Sequence, residues 1–241
     1  MEQILDIILD IINIIGIISF AAAGAMISID KEMDLFGVLF LSVMTCFGGG
    51  ILRDVMAGNE IGRMIPVFFT QLKMEIIVCV LTALIVFLLA FLQKERYVKE
   101  EVKVEKINNV LDALGLGVFA AVGTAAYTTL GPFVSIVMGL TSAVGGGIIR
   151  DVILREIPFV FRKRVYAVAC ILGSGVYYII HELFMKGMKS ADVVSTIACV
   201  VVIFAIRMLA TVFRWNMPRA IDFSKMATST AREKEHQNTT K

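Results

Sequence analysis

The sequence predicts an all-α polytopic membrane protein of seven transmembrane helices. Two inverted three-helix repeats are followed by a seventh helix, with spans two and five broken at runs of three glycines. Three observations predict this. The 241 residues are 58% hydrophobic and 18% charged, with a mean hydropathy of +0.82, where a soluble domain is about half apolar and about a quarter charged. The apolar residues stand in blocks of roughly 20, the length that crosses a ~30 Å hydrocarbon core. Finally, Gly48-Gly49-Gly50-Ile51-Leu52-Arg53-Asp54-Val55 recurs as Gly145-Gly146-Gly147-Ile148-Ile149-Arg150-Asp151-Val152.

Span one is Met1–Ser28. It opens with Glu2, Asp6 and Asp10 instead of a basic segment, so it is expected to be retained and not cleaved as a signal peptide. The three acids share one helical face. They fit an N-terminal turn outside the bilayer, where the helix dipole favours acids, or a vestibule that attracts cations. After the polar turn Asp30-Lys31-Glu32, span two runs from about Leu35 to Ala57 and carries the first glycine run. Span three covers about Leu72–Leu92. The stretch Gln93–Lys106 then interleaves Lys94, Arg96, Lys99, Lys103 and Lys106 with glutamates. Spans four (about Val110–Thr128), five (about Phe133–Leu154, with the second glycine run) and six (about Val165–Phe184) follow. Span seven, about Val193–Phe213, contains Arg207 and ends at Trp215, an interfacial anchor. The polar tail from Ser224 to Lys241 lacks apolar periodicity and is expected to be disordered.

The two halves repeat beyond the eight-residue core. Gly16, Phe20, Ala21, Ala22 and Gly24 of span one return as Gly115, Phe119, Ala120, Ala121 and Gly123 of span four. Phe36 aligns with Phe133, and Ile65-Pro66 answers Ile157-Pro158. Three spans per repeat is an odd number, so the second copy enters the membrane from the opposite side. The expected division is 1–92 for the first repeat and 93–108 for a charged cytoplasmic linker. The second repeat is 109–190, the seventh helix 191–215 and the cytoplasmic tail 216–241. With the N-terminus outside, seventeen basic residues fall inside and five outside, so the C-terminus is predicted to be cytoplasmic.

Several chemistries are excluded. Cys46, Cys79, Cys170 and Cys199 lie in apolar runs without a CxxC pair, and His181 and His236 are isolated, so no metal site is expected. Neither glycine run is followed by Gly-Lys-Ser/Thr, and nothing resembles a nucleophile elbow or a carboxylate pair. No enzymatic activity, cofactor or nucleic-acid partner is expected.

The glycine runs carry the functional argument. A glycine in a helix interior costs roughly 1 kcal/mol relative to alanine, so six of them, Gly48, Gly49, Gly50, Gly145, Gly146 and Gly147, call for a reason. One reason is a break in each helix, which survives in lipid only where it is buried or lines water. Freed carbonyls there would replace a potassium ion's hydration shell, with Ser42, Thr45, Thr141 and Ser142 adding hydroxyls. The other reason is close helix packing, for which Gly139, Ala143 and Gly147 form a small-residue ridge. Neighbouring residues lie about 100° apart on a helix, so Arg53 and Asp54 are not expected to face one another. Arg53 lies eighteen residues past Leu35, roughly 27 Å along a helix. Arg53-Asp54 and Arg150-Asp151 are therefore placed at opposite mouths of a path, snorkelling or bonded to a neighbouring span. Arg207 faces protein or water; a lipid headgroup and a carboxylate such as Asp112 both suit it.

The doubled GGG-x-x-R-D, the Asp34–Gly37 stretch opening span two, and Asn109-x-x-Asp112-x-x-Gly115 resemble the trimeric intracellular cation (TRIC) channel family, in its prokaryotic branch. The resemblance covers the chain from span one to span seven. It implies seven helices broken at the glycine motifs, a homotrimer with one pore in each subunit, and conduction of monovalent cations, mainly potassium. Animal members have a lysine-glutamate motif near the second glycine site and bind phosphoinositide there; Arg150-Asp151 stands here instead, so phosphoinositide gating is not implied. Permeant potassium or sodium, membrane lipid and further copies of the chain are then the expected partners, at the cell membrane. Some bacterial relatives have been proposed to move glycine. A secondary transporter of a small amino acid is therefore the alternative, although no deep carboxylate away from an arginine stands at mid-span to couple it.

Overall fold

The structure is a computed structural model that describes residues 2–58, 73–162, 165–184, 188 and 190–215. Its helices are α1 (Glu2–Asp30), α2 (Leu35–Ala57), α3 (Lys73–Leu92), α4 (Lys94–Lys99), α5 (Glu101–Ala125), α6 (Pro132–Ile153), α7 (Phe159–Arg162), α8 (Tyr166–Tyr178) and α9 (Ala191–Val212). A 3₁₀ turn spans Thr128–Leu130, and α8 continues as a π-helical stretch over Ile179–Phe184. Seven helices are long and apolar enough to cross a membrane: α1, α2, α3, α5, α6, α8 with its extension, and α9. This is a multi-pass membrane protein. The predicted tail and Ile65-Pro66 lie outside the described residues.

Local chemistry explains the helix ends. The Asp34 side chain caps α2 by accepting from the Gly37 amide at 2.8 Å, which satisfies one of the donors a helix start leaves open. Pro132 opens α6, where its missing N–H is no loss. α1 has 29 residues, about 43 Å at 1.5 Å per residue. It therefore outruns a hydrocarbon core, and exposed Glu2, Asp6 and Asp10 occupy the surplus turns.

The charged stretch from 93 to 108 is helical, and the helix of span four starts earlier than expected. α4 and α5 run through this stretch, and α5 begins at Glu101 instead of near Val110. Glutamate and lysine are good helix formers, and Lys99 pairs with Glu95 at 3.8 Å while Lys103 pairs with Glu100 at 3.3 Å. Charge shows that a segment meets water, not that it is irregular.

The packing obeys a two-fold relation. α1, α2 and α3 pack on one another as α5, α6 and α8 do, while the pairs α1–α5 and α2–α6 cross between the repeats. Equivalent residues meet where the repeats touch: Phe20 stacks on Phe119 with ring centroids 5.1 Å apart. The interior around them is lined by buried Ala21, Ala22, Ala120 and Ala121, and small side chains of this kind let helix backbones approach closely. α9 packs chiefly on α5 and α8 and has no counterpart in the first repeat.

Candidate functional site

The central contact of the molecule is the crossing of α2 and α6 at their glycines. Both helices run unbroken through Gly48–Gly50 and Gly145–Gly147, so the predicted breaks at spans two and five do not form. Close approach explains the glycines instead. A Cβ on Gly49 would fall on the Ser142 carbonyl, and one on Gly146 would fall on the Thr45 carbonyl. A Cβ on Gly145 would stand 2.9 Å from the Gly49 Cα, and one on Gly48 would stand 2.9 Å from the Ile149 Cδ1. The third glycine of each run faces elsewhere. Beside Gly50 the nearest atom is Arg53 Nη2 at 4.0 Å, and beside Gly147 it is Arg150 Nη2 at 3.7 Å. Two glycines in each run thus seat the crossing, and the third lies beneath a guanidinium.

The predicted pore hydroxyls divide in the same way. Ser42 and Thr45 donate to the carbonyls of Val38 and Leu41 at 2.7 Å, and Thr141 donates to Val137 at 2.9 Å. All three bonds stay within their own helix. Ser142 differs: its Oγ is buried and has no hydrogen-bond partner among the described residues. Gly139 of the predicted ridge meets Thr124 and Ser174, so it seats α5 and α8 and not α2.

Each arginine binds its own neighbour in sequence. Arg53 Nε and Nη2 donate to Asp54 Oδ1 at 2.9 and 2.7 Å, and Arg150 Nε donates to Asp151 Oδ1 at 2.8 Å. The expectation that adjacent residues would not face one another is overturned. Their Cβ atoms do diverge, but the arginine stem is long enough to fold back across the gap. Arg150 is also not a snorkelling side chain, since it is fully buried. Its guanidinium lies over the Phe159 ring at 5.2 Å, and Asp151 Oδ2 accepts the Phe159 amide at 2.8 Å. The terminal nitrogens of Arg150 have no hydrogen-bond partner among the described residues.

Around Arg150 the structure gathers residues from four helices. Arg207 of α9 lies 3.5 Å from Asp112 Oδ2 and 4.5 Å over the Tyr166 ring, and the Tyr166 hydroxyl donates to Asp112 Oδ1 at 3.0 Å. Of the two partners the sequence left open for Arg207, the carboxylate of Asp112 is present. Two cations thus stand with two carboxylates, and charges taken out of water persist only when paired in this way.

At the Arg53 end there is a cavity of about 130 Å³ instead. Asn13 and Ile17 of α1, Gly50, Arg53 and Asp54 of α2, Glu75 of α3, Phe119 of α5 and Ser142 of α6 line it. Asn13 and Glu75 escaped the sequence reading, although a polar Asn13 inside an apolar run was a signal for the first. A larger hollow of about 770 Å³ lies away from the crossing, at the α4 end, between Asp30, Met33, Phe87, Phe91, Lys94 and Tyr97. There Tyr97 donates to Asp30 at 3.2 Å. Burial, reinforced by Asp30, pushes its phenol well above the ordinary value, so it remains a donor.

The family model described as glycine transporter matches residues 10–90 and 109–182, one stretch in each repeat. The UPF0126 inner membrane protein YadS of Escherichia coli is 34% identical over 209 residues, which is 86% of this chain and 92% of that protein. A UPF0126 membrane protein of Deinococcus radiodurans is 38% identical over 177 residues, 72% of this chain and 76% of that one. A solved structure concerning conductance through TRIC cation channels superposes with a TM-score of 0.72 at 31% identity, covering 88% of this chain and 97% of the other. The TRIC orthologue from Rhodobacter sphaeroides gives a TM-score of 0.69 at 27% identity, covering 85% and 97%.

Proposed function

We propose that this chain, which belongs to the family of UPF0126 membrane proteins and prokaryotic TRIC channels, is a channel for monovalent cations, potassium foremost. One observation carries the reading. A pair of self-neutralised Arg-Asp sites flanks the α2–α6 crossing, one on each side of it, within a single chain. Two mouths joined along one seam make a path, and the path belongs to the subunit and not to an interface. The seam is shut where Gly49 and Gly146 bring the backbones together, so opening requires α2 and α6 to separate there. Neutralisation by Asp54 and Asp151 removes the objection that arginine repels cations.

The chain assembles as a homotrimer with three independent paths, in the cell membrane, with lipid covering its remaining apolar faces. The Arg53 end faces outward and the Arg150 end faces the cytoplasm, because basic residues gather on the latter side. A second reading, transport of a small amino acid such as glycine, is favoured by one feature: a 130 Å³ cavity lies beside a closed crossing, as in one state of an alternating-access cycle. Reconstitution into liposomes separates the two. Unitary potassium currents are the expected result, and saturable glycine uptake without unitary currents would overturn the channel.

A further inference from the structure

The two charge sites are related by the repeat, yet their charges differ. Asn13 stands three residues before Gly16 as Asp112 stands three before Gly115. The first turn of α3 brings Glu75 to one site, and the first turn of α8 brings Tyr166 to the other. The seventh helix adds Arg207 to the Arg150 site alone. At that site Asp112 and Asp151 balance Arg150 and Arg207, and the Tyr166 ring fills the space between them. At the other, Arg53 is matched by Asp54, Asn13 is neutral, and Glu75 remains as the excess charge among the described side chains of the cavity. Glu75 is half-buried and makes no ion pair among the described residues.

A second observation points to a ligand. Ser142 is 3% exposed, its Oγ has no hydrogen-bond partner among the described residues, and it lines this same cavity from the far side, at the glycine crossing. A buried hydroxyl left without a partner costs free energy unless something polar reaches it. The 130 Å³ cavity has the volume of about four water molecules, enough for a monovalent cation that keeps only part of its hydration shell.

We propose that this cavity binds a monovalent cation and that Glu75, not the Arg53–Asp54 pair, gives the path its preference for cations. The hydroxyl of Ser142 and the amide oxygen of Asn13 supply neutral donors of the kind that replace hydration water. The Arg53–Asp54 pair serves as a neutral wall. This deepens the channel reading and rests on it for its role in conduction, but the binding site itself is testable without current.

The first measurement is thermal unfolding of the full chain in detergent, in potassium chloride against N-methyl-D-glucamine chloride at equal ionic strength, since the organic cation is too large for the cavity. Potassium is expected to raise the parent's Tm, because a ligand of the folded state alone stabilises it. Glu75→Gln should abolish the difference, Glu75→Asp should keep it, and Ser142→Ala should shrink it. Ser142→Ala removes a hydroxyl with no partner among the described residues, so it is expected to fold. A parent without the difference, or a Glu75→Gln variant that retains it, overturns the proposal. The second measurement is unitary conductance at low potassium, which Glu75→Gln should lower about threefold, the Boltzmann weight of one unit charge at ~6 Å in water. Unchanged conductance overturns the role of Glu75 while leaving the channel reading intact. If the parent carries no unitary current, the channel reading fails and the unfolding measurement alone decides the site.

Discussion

Arg53 and Arg150 occupy equivalent places in the repeat but stand in different surroundings. Arg53 is 9% exposed at the edge of a cavity, whereas Arg150 is 0% exposed among Asp151, Phe159 and Tyr166. Removing one member of a buried ion pair leaves the other charge without its partner, at about 3–5 kcal/mol. Arg150→Ala is therefore expected to lower the unfolding temperature more than Arg53→Ala does, and to change open probability in bilayer recordings. Equal losses in the two variants would contradict the burial of Arg150, and unchanged gating would remove it from the mechanism. The pairing of each arginine with its own neighbour was not legible in the sequence. A helical wheel tracks where Cβ atoms point, not where a long side chain ends.

At the scale of the element, the glycine runs are one sequence signal with two outcomes. Gly49 and Gly146 seat backbone against backbone, whereas Gly50 meets only the end of a flexible arginine. Gly49→Ala should force α2 and α6 apart, at about 1–3 kcal/mol for overpacking. Gly50→Ala should be neutral or stabilising by about 0.5–1 kcal/mol, since alanine suits a helix interior better than glycine. Thermal unfolding of the two variants checks this, and equal effects would refute the crossing geometry. A sequence with three consecutive glycines is consistent with a break and with a tight crossing alike. What decides is the presence of a second helix, with its own glycines in register, to press against.

For the whole molecule, the two repeats are also joined at the Arg150 end, where Lys31 of the α1–α2 turn pairs with Glu156 after α6. Both side chains are partly exposed at 45% and 30%, so the pair contributes at most about 1 kcal/mol to stability and is screened by salt. Lys31→Glu is expected to raise open probability with little change in unfolding temperature, and Lys31→Glu with Glu156→Lys should restore the parent's gating. Recordings of the double variant that match the single one would exclude a latch. Orientation is checked separately: a fluorescent protein fused after Lys241 should fold and fluoresce, and an alkaline phosphatase fused there should be inactive. An active phosphatase would place the C-terminus outside.

The sequence by itself determined the seven spans, their division into two inverted repeats, and the paired glycine and Arg-Asp sites. Apolar block length, an odd span count and an eight-residue duplication are properties of the chain in one dimension. Span two was legible in its bounds, Leu35 to Ala57, although its Asp34 cap was not. Only the tertiary structure decided what those residues do. It showed that the glycines hold two unbroken helices together, that the Arg207 guanidinium lies by Asp112, and that Glu75 and Asn13 share a cavity with Ser142. The reason is physical. Hydropathy and periodicity record what each residue prefers from its surroundings, whereas close approach, ion pairing and cavities depend on residues far apart in the chain.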